Sequence, residues 1–224
     1  FADSALLRRL SPDRSNFKLW LKWILLSAVV VLLCIALANP KIGTKIETVK
    51  REGVDIVFAI DVSKSMLAED VAPNRLEKAK RIAFETINQL KGDRVGIVAY
   101  AASAYPQLAL TTDHSAAKMF LQSMNTNMLS SQGTAIQEAI RMATNYFDDK
   151  STTSRLLFII SDGEDHEMGA TEIAAEAQEK GIHIYTIGVG TEKGSPIPMR
   201  ELGEQSYKRD RNGEVVITRL NKEL

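Results

Sequence analysis

The chain has 224 residues, 25% charged and 45% apolar, which suits one folded domain with some chain to spare and excludes wholesale disorder. Its 28 basic residues match 28 acidic ones, so a protein built chiefly to bind nucleic acid, which carries a basic excess, is not expected. A single cysteine excludes an internal disulfide framework and any zinc site made from cysteine pairs.

The first feature in chain order is Leu19 to Ala38, LWLKWILLSAVVVLLCIALA, whose only charge is Lys22. About 20 apolar residues are what a helix needs to cross a bilayer. Trp20 and Trp23 stand at one end, where aromatic rings favour the lipid–water boundary, and Lys22 can snorkel from there. The expectation is a retained transmembrane helix over 19–38, with Cys34 as a packing residue inside it. Two alternatives are a buried core helix and a signal segment, for which Ala36-Leu37-Ala38-Asn39 offers a small-residue cleavage site. Arg8, Arg9, Arg14 and Lys18 on one flank are matched by Lys41, Lys45, Lys50 and Arg51 on the other, so the positive-inside rule leaves orientation open. Residues 1–18 are then a flank, 39–52 a juxtamembrane linker and 53–224 a separate domain.

In that domain apolar strands alternate with amphipathic helices. Val54–Ile60 is a continuous apolar run, as expected of a strand covered on both faces. Asn74 with Glu77 three residues on forms a capping-box start for a helix whose apolar positions are Leu76, Ala79, Ile82, Ala83, Ile87 and Leu90, ended by Gly92. Strands follow at Val95–Ala101 and Tyr105–Leu110. Asp113 caps a helix with Ala117, Phe120, Leu121 and Met124 inward, and a further helix carries Ile136, Ala139, Ile140 and Ala143. Leu156–Ile160 is a strand, Ile173, Ala174 and Ala177 mark a helix, and Ile182–Val189 is another strand. Asn212-Gly213 between Ser206–Lys208 and Val215–Thr218 signals a hairpin. The order predicts an open, doubly wound, mostly parallel α/β sheet flanked by helices, in which ligands bind beyond the carboxyl ends of the strands.

Three loops fall at that edge. The first strand runs into Asp61-Val62-Ser63-Lys64-Ser65, where a carboxylate and two hydroxyls occupy alternate positions. Ser161-Asp162-Gly163-Glu164-Asp165 follows the LLFII strand, with Gly163 free to turn sharply beside Asp162. Ser131-Gln132-Gly133-Thr134 opens a helix. Singly, Ser63, Ser65 and Thr134 read as helix caps or turn hydroxyls, and Asp162-Gly163 as a turn pair. Together, Asp61, Ser63, Ser65, Thr134 and Asp162 are hard oxygen donors suited to Mg²⁺, Mn²⁺ or Ca²⁺.

These stretches resemble the metal ion-dependent adhesion site of von Willebrand factor type A domains, over about Gly53 to Thr218. The resemblance implies that Ser63, Ser65 and Thr134 supply hydroxyls, that Asp61 and Asp162 act directly or through water, and that the function is partner binding rather than catalysis. The cation would be bridged by an Asp or Glu of a protein partner, with Glu164 and His166 near enough to contact it. Ala38-Asn39-Pro40, Lys50 to Ile56, Asp61 to Asp70 and Pro73-Asn74-Arg75-Leu76 resemble more narrowly the Bat-type (aerotolerance) bacterial membrane proteins. That family implies a domain outside the cytoplasmic membrane with residues 1–18 cytosolic, further spans at either end, and a last helix and strand beyond Leu224. It also implies partners among other von Willebrand factor type A proteins, tetratricopeptide-repeat proteins and a MoxR-type AAA+ ATPase, besides membrane lipid.

Two rival readings are a structural membrane scaffold and an Mg²⁺-dependent phosphotransferase of haloacid-dehalogenase type. In the latter Asp61 would be the nucleophile and Asp162 and Asp165 metal ligands, but Ser63 stands where the general-acid aspartate belongs. His114, His166 and His183 read as surface or core residues, and Gly188-Val189-Gly190 lacks the Lys-Ser/Thr of a phosphate loop.

Overall fold

The structure is a computed structural model and describes residues 16–38, 53–129, 133–147, 153–164, 169–201 and 204–221. The flanking basic residues at 8, 9, 14, 41, 45, 50 and 51, the 39–52 linker, Ser131, Gln132, Asp165 and His166 lie outside the described residues. Two compact units are present, residues 1–50 and 51–224.

In the first unit, helix α1 spans Asn16–Ala38, three residues longer at its start than the apolar run. It is long and apolar enough to cross a membrane, and none of its side chains is buried. Ser27 Oγ donates to the Ile24 carbonyl at 2.8 Å, so the hydroxyl is satisfied within the helix.

The second unit holds a five-stranded sheet in the order β3-β2-β1-β4-β5. Its strands are β1 (Val54–Asp61), β2 (Arg94–Tyr100), β3 (Ala104–Thr111), β4 (Ser154–Ser161) and β5 (Ile182–Gly188). All pair in parallel except β3, which returns antiparallel to β2. Helices α2 (Arg75–Gln89), α3 (His114–Ser123), α4 (Ile136–Thr144) and α5 (Ala170–Glu179) connect and cover the strands. Strand periodicity divides the core in two. Ile56, Phe58 and Ile60 of β1 pack with α2 and α3, whereas Val57 and Ala59 pack with α4 and α5. Both faces of β1 are therefore covered, which is why its sequence is apolar without alternation.

Local signals carry through to caps. The Asn74 side chain accepts from the Glu77 N–H at 2.8 Å, while the Glu77 carboxylate turns instead to Lys80 at 2.7 Å, so only half of the capping box forms. Asp113 accepts from Ser115 N and Ala116 N, both at 3.0 Å. Helix α2 stops at Gln89 with Leu90 as its C-cap, before Gly92. Gly92 takes φ 86° in the turn that follows. At the other end of β1, Asp55 is held below its ordinary range: burial pushes it up, but hydrogen bonds from Arg94 and Thr153 prevail.

Beyond β5 the chain forms a ribbon. Strands β6 (Ser195–Pro196) and β7 (Pro198–Glu201) pair antiparallel with β9 (Ile217–Thr218) and β8 (Glu204–Tyr207) respectively. The Asn212-Gly213 turn is present, with Arg209 bridged to Val215 and Gly213 at φ 84°. The flanking runs take their main partner from residues 195–201, which the hairpin signal did not include.

Candidate metal centre

The centre is built where β1 and β4 end side by side. Asp61 is the last residue of β1, level with Tyr100 of β2, and the Val62 N–H bonds to the Tyr100 carbonyl at 2.8 Å. Its side chain is fully buried. Oδ1 accepts from the Ser63 N–H at 2.8 Å, and Oδ2 accepts from the Ser161 hydroxyl at 2.8 Å. The chain then turns through a short 3₁₀ segment, Lys64–Leu67, which brings Ser63 Oγ and Ser65 Oγ to 2.8 Å from each other. Ser63 stands at the N-cap of that segment, yet its side chain makes no capping bond. The helix-cap reading of this hydroxyl therefore does not describe it.

Asp162 follows β4 and is also fully buried. Gly163, at φ 80°, turns the chain beside it, and its N–H bonds to Ser161 Oγ at 3.1 Å. Thr134 is buried just ahead of α4, but the N-cap position belongs to Ala135, which has no side-chain cap. The Ala135 N–H donates to the Ala101 carbonyl at 2.7 Å, hooking this loop to the residue that follows β2. Gly133 takes φ 133°, and a Cβ there would lie 3.3 Å from that of Ala102. All five predicted donors thus stand buried at the carboxyl edge of β1, β2 and β4.

The electrostatics suit a cation. Burial, and secondly the charge of Asp162, push Asp61 up to about 7 from its ordinary 3.8. Asp162 is paired with Arg75 at 2.8 Å, whereas among the described residues Asp61 is held by hydrogen bonds alone, so positive charge brought beside it would offset its burial. Among the described residues no group of three or more His, Cys, Asp or Glu side chains could hold a metal, so a cation here depends on the serine and threonine hydroxyls. Such oxygen donors suit Mg²⁺ or Mn²⁺ rather than a soft metal.

Glu164 is engaged rather than free. Its Oε1 accepts from the Thr218 hydroxyl at 2.6 Å and from the Arg219 N–H at 3.3 Å. His114 hydrogen-bonds the Asp93 carbonyl at 2.9 Å, and His183 is exposed on edge strand β5.

Sequence reasoning assigned no role to Arg75, whose guanidinium is fully buried and bonded to Asp162 Oδ2 at 2.8 Å. One signal could have found it. A cation at the first position of a helix opposes the helix dipole, so a specific anionic partner is to be expected there.

Residues 56–164 match the family model of the von Willebrand factor type A domain. The structure of BatB from Bacteroides thetaiotaomicron is similar, at 48% identity and TM-score 0.72, over 75% of this chain and 82% of that one. An aerotolerance-related membrane protein from Bacteroides fragilis is similar at 43% identity and TM-score 0.72, over 75% and 83%. The chain belongs to the von Willebrand factor type A domain proteins. Among them it is similar to the Bat-type aerotolerance membrane proteins. A UPF0353 protein of Mycobacterium sp. strain KMS is 31% identical over 92% of this chain and 63% of its own length. Another from Mycobacterium avium is 32% identical over 87% and 61%, so the chain spans about three fifths of these curated relatives. Proximal thread matrix protein 1 of the mussel byssus, whose own adhesion motif is zinc-occupied, shares the fold at 19% identity and TM-score 0.55, over 62% of this chain and 36% of that one.

Proposed function

We propose that this chain is a membrane-anchored recognition module that binds protein partners through a divalent cation held by Asp61, Ser63, Ser65, Thr134 and Asp162. The observation that carries the reading is the pair of wholly buried carboxylates, Asp61 and Asp162, beside two hydroxyls 2.8 Å apart that cap no helix. When bound, the cation supplies a Lewis-acidic position that an Asp or Glu oxygen of the partner can fill. The side chains orient this arrangement. Ser161 and the Ser63 N–H hold the Asp61 carboxyl, and Arg75 holds that of Asp162. The donors are two carboxylates, one of them already paired with Arg75, and three neutral hydroxyls, so a divalent ion is not over-neutralised and a further acid remains attractive.

Mg²⁺ is the favoured ion, with Mn²⁺ or Ca²⁺ as substitutes. The domain is assigned to the outer side of a bacterial cytoplasmic membrane, anchored by α1. Its partners are other von Willebrand factor type A proteins, tetratricopeptide-repeat proteins and a MoxR-type AAA+ ATPase, in an envelope complex serving stress tolerance. Such domains are typically interaction modules, and Ser63 in place of an acid disfavours phosphotransfer. Calorimetric titration with Mg²⁺ and Mn²⁺, followed by copurification from membranes with and without chelator, tests the reading. Asp61→Ala should abolish both ion binding and ion-dependent capture. Capture that survives both Asp61→Ala and chelation refutes the metal bridge, and turnover of a generic phosphate ester would refute the non-enzymatic assignment.

A further inference from the structure

Arg75 links three parts of the chain that are remote in sequence. Its five N–H donors are all used. Nε and Nη2 grip the two oxygens of Asp70, each at 2.8 Å. Nη1 donates to Asp162 Oδ2 at 2.8 Å and to Thr218 Oγ1 at 2.9 Å, and Nη2 to the Thr218 carbonyl at 3.1 Å. The place is shaped for a planar guanidinium. Gly190 takes φ 145°, and a Cβ there would stand 2.9 Å from Nε and 3.0 Å from Cζ. Asp70 is fixed in turn by the N–H and hydroxyl of Thr191, at 2.8 and 2.9 Å. Thr218 passes the connection on, donating to Glu164 at 2.6 Å. The backbone reinforces it, since Asn221 N bonds the Asp162 carbonyl at 3.0 Å and Leu220 N the Thr191 carbonyl at 3.0 Å.

The consequence falls on Asp162. Its Oδ2 is engaged by Arg75, with Thr218 Oγ1 at 3.4 Å, so Oδ1, which among the described residues has only a long contact of 3.3 Å from Glu164 N, is the oxygen it can offer a cation. We propose that Arg75 is a positioning residue that ties the metal centre to the C-terminal ribbon, so that the seating of Thr218 sets how Asp162 is presented and ion binding in turn orders residues 218–221. This rests on the metal reading above. The coupling is reciprocal, because whatever the ribbon does to ion affinity the ion must do to the ribbon.

The test uses the full chain in detergent micelles, with Mg²⁺ and Mn²⁺ as probes. Two quantities are read: the ion Kd by calorimetry, and amide hydrogen exchange at Leu220 and Asn221 with and without ion. In the native chain the ion should slow exchange at both amides. Arg75→Lys removes the fork but threatens folding, so the informative variant is Thr218→Val, which keeps shape and every charge. It should weaken ion binding by about tenfold, as is usual when a group supporting a ligand is lost, and abolish the exchange response. Thr218→Ser, which restores the hydroxyl, should recover both; a ribbon important only for stability would lower the melting temperature without moving either. A Thr218→Val Kd within about twofold of native, or a ribbon indifferent to the ion in the native chain, overturns this inference alone. No ion binding by the native chain overturns it together with the metal reading.

Discussion

Asp61→Asn separates charge from shape at the centre of the site. The native carboxyl is fully buried and its pKa stands at about 7, against an ordinary 3.8, through burial first and the neighbouring Asp162 second. A folded-state pKa above the unfolded value means that the folded protein favours the protonated form. That contribution is whole below about pH 4 and is lost as pH rises through about 7. At about pH 8 in chelator, ionised Asp61 therefore costs the folded state ~4 kcal/mol relative to its protonated form. Asparagine has the same shape without the charge. Its carbonyl oxygen can take the Ser63 N–H and its amide can face Ser161 Oγ, at a loss of roughly 1 kcal/mol in reoriented hydrogen bonds. The variant should thus exceed native stability by about 3 kcal/mol, a rise in melting temperature of roughly 6–12 °C for a domain of this size. The gain should vanish near pH 4. Millimolar Mg²⁺ should raise the native melting temperature and leave the variant unmoved. Circular-dichroism melts of the chain in micelles, with chelator or Mg²⁺ across that pH range, read all of this. A variant no more stable than native protein in chelator at about pH 8 would show that Asp61 ionises without penalty, and the charge argument would fail. A variant still stabilised by Mg²⁺ would put the ion elsewhere.

Three further outcomes are expected. Gly190→Ala sets a Cβ 2.9 Å from Arg75 Nε at φ 145° and should lower unfolding free energy by at least about 2 kcal/mol in urea titrations. Asp70 is held down to about 2: burial raises it, but the Arg75 and Thr191 hydrogen bonds and the charge of Arg75 prevail. Its folded pKa lies below the unfolded one, so it stabilises above about pH 4, and about 2 kcal/mol should disappear as pH falls from about 4 through 2; Asp70→Asn should flatten that acid limb. Asn74→Ala removes the bond to the Glu77 N–H and should cost about 1 kcal/mol, read as a lower urea midpoint with unchanged slope.

Local chemistry was legible from residue order alone. The 19–38 apolar run, the strand before Asp61 and the caps at Asn74 and Asp113 each depend on neighbours within a few positions, and periodicity exposes them. The common position of the five candidate donors was legible for a related reason. A parallel sheet delivers every strand end to one edge, so loops far apart in sequence can be assigned to one place once the strands are known. The Arg75 cluster has no such shortcut. Its bonds to Asp162 and Thr218 span 87 and 143 residues, and no spacing rule links a helix start to a ribbon that distant. The ribbon pairing was hidden likewise: the Asn212-Gly213 turn is local, but the choice of residues 195–201 as partner is made by packing and by the need to bond strand edges. Sequence order therefore determined the elements and the strand edge to which the candidate donors come. Tertiary structure alone decided which charge compensates Asp162, because burying an arginine requires acceptors to converge on all its donors at once, and only the assembled fold brings them together.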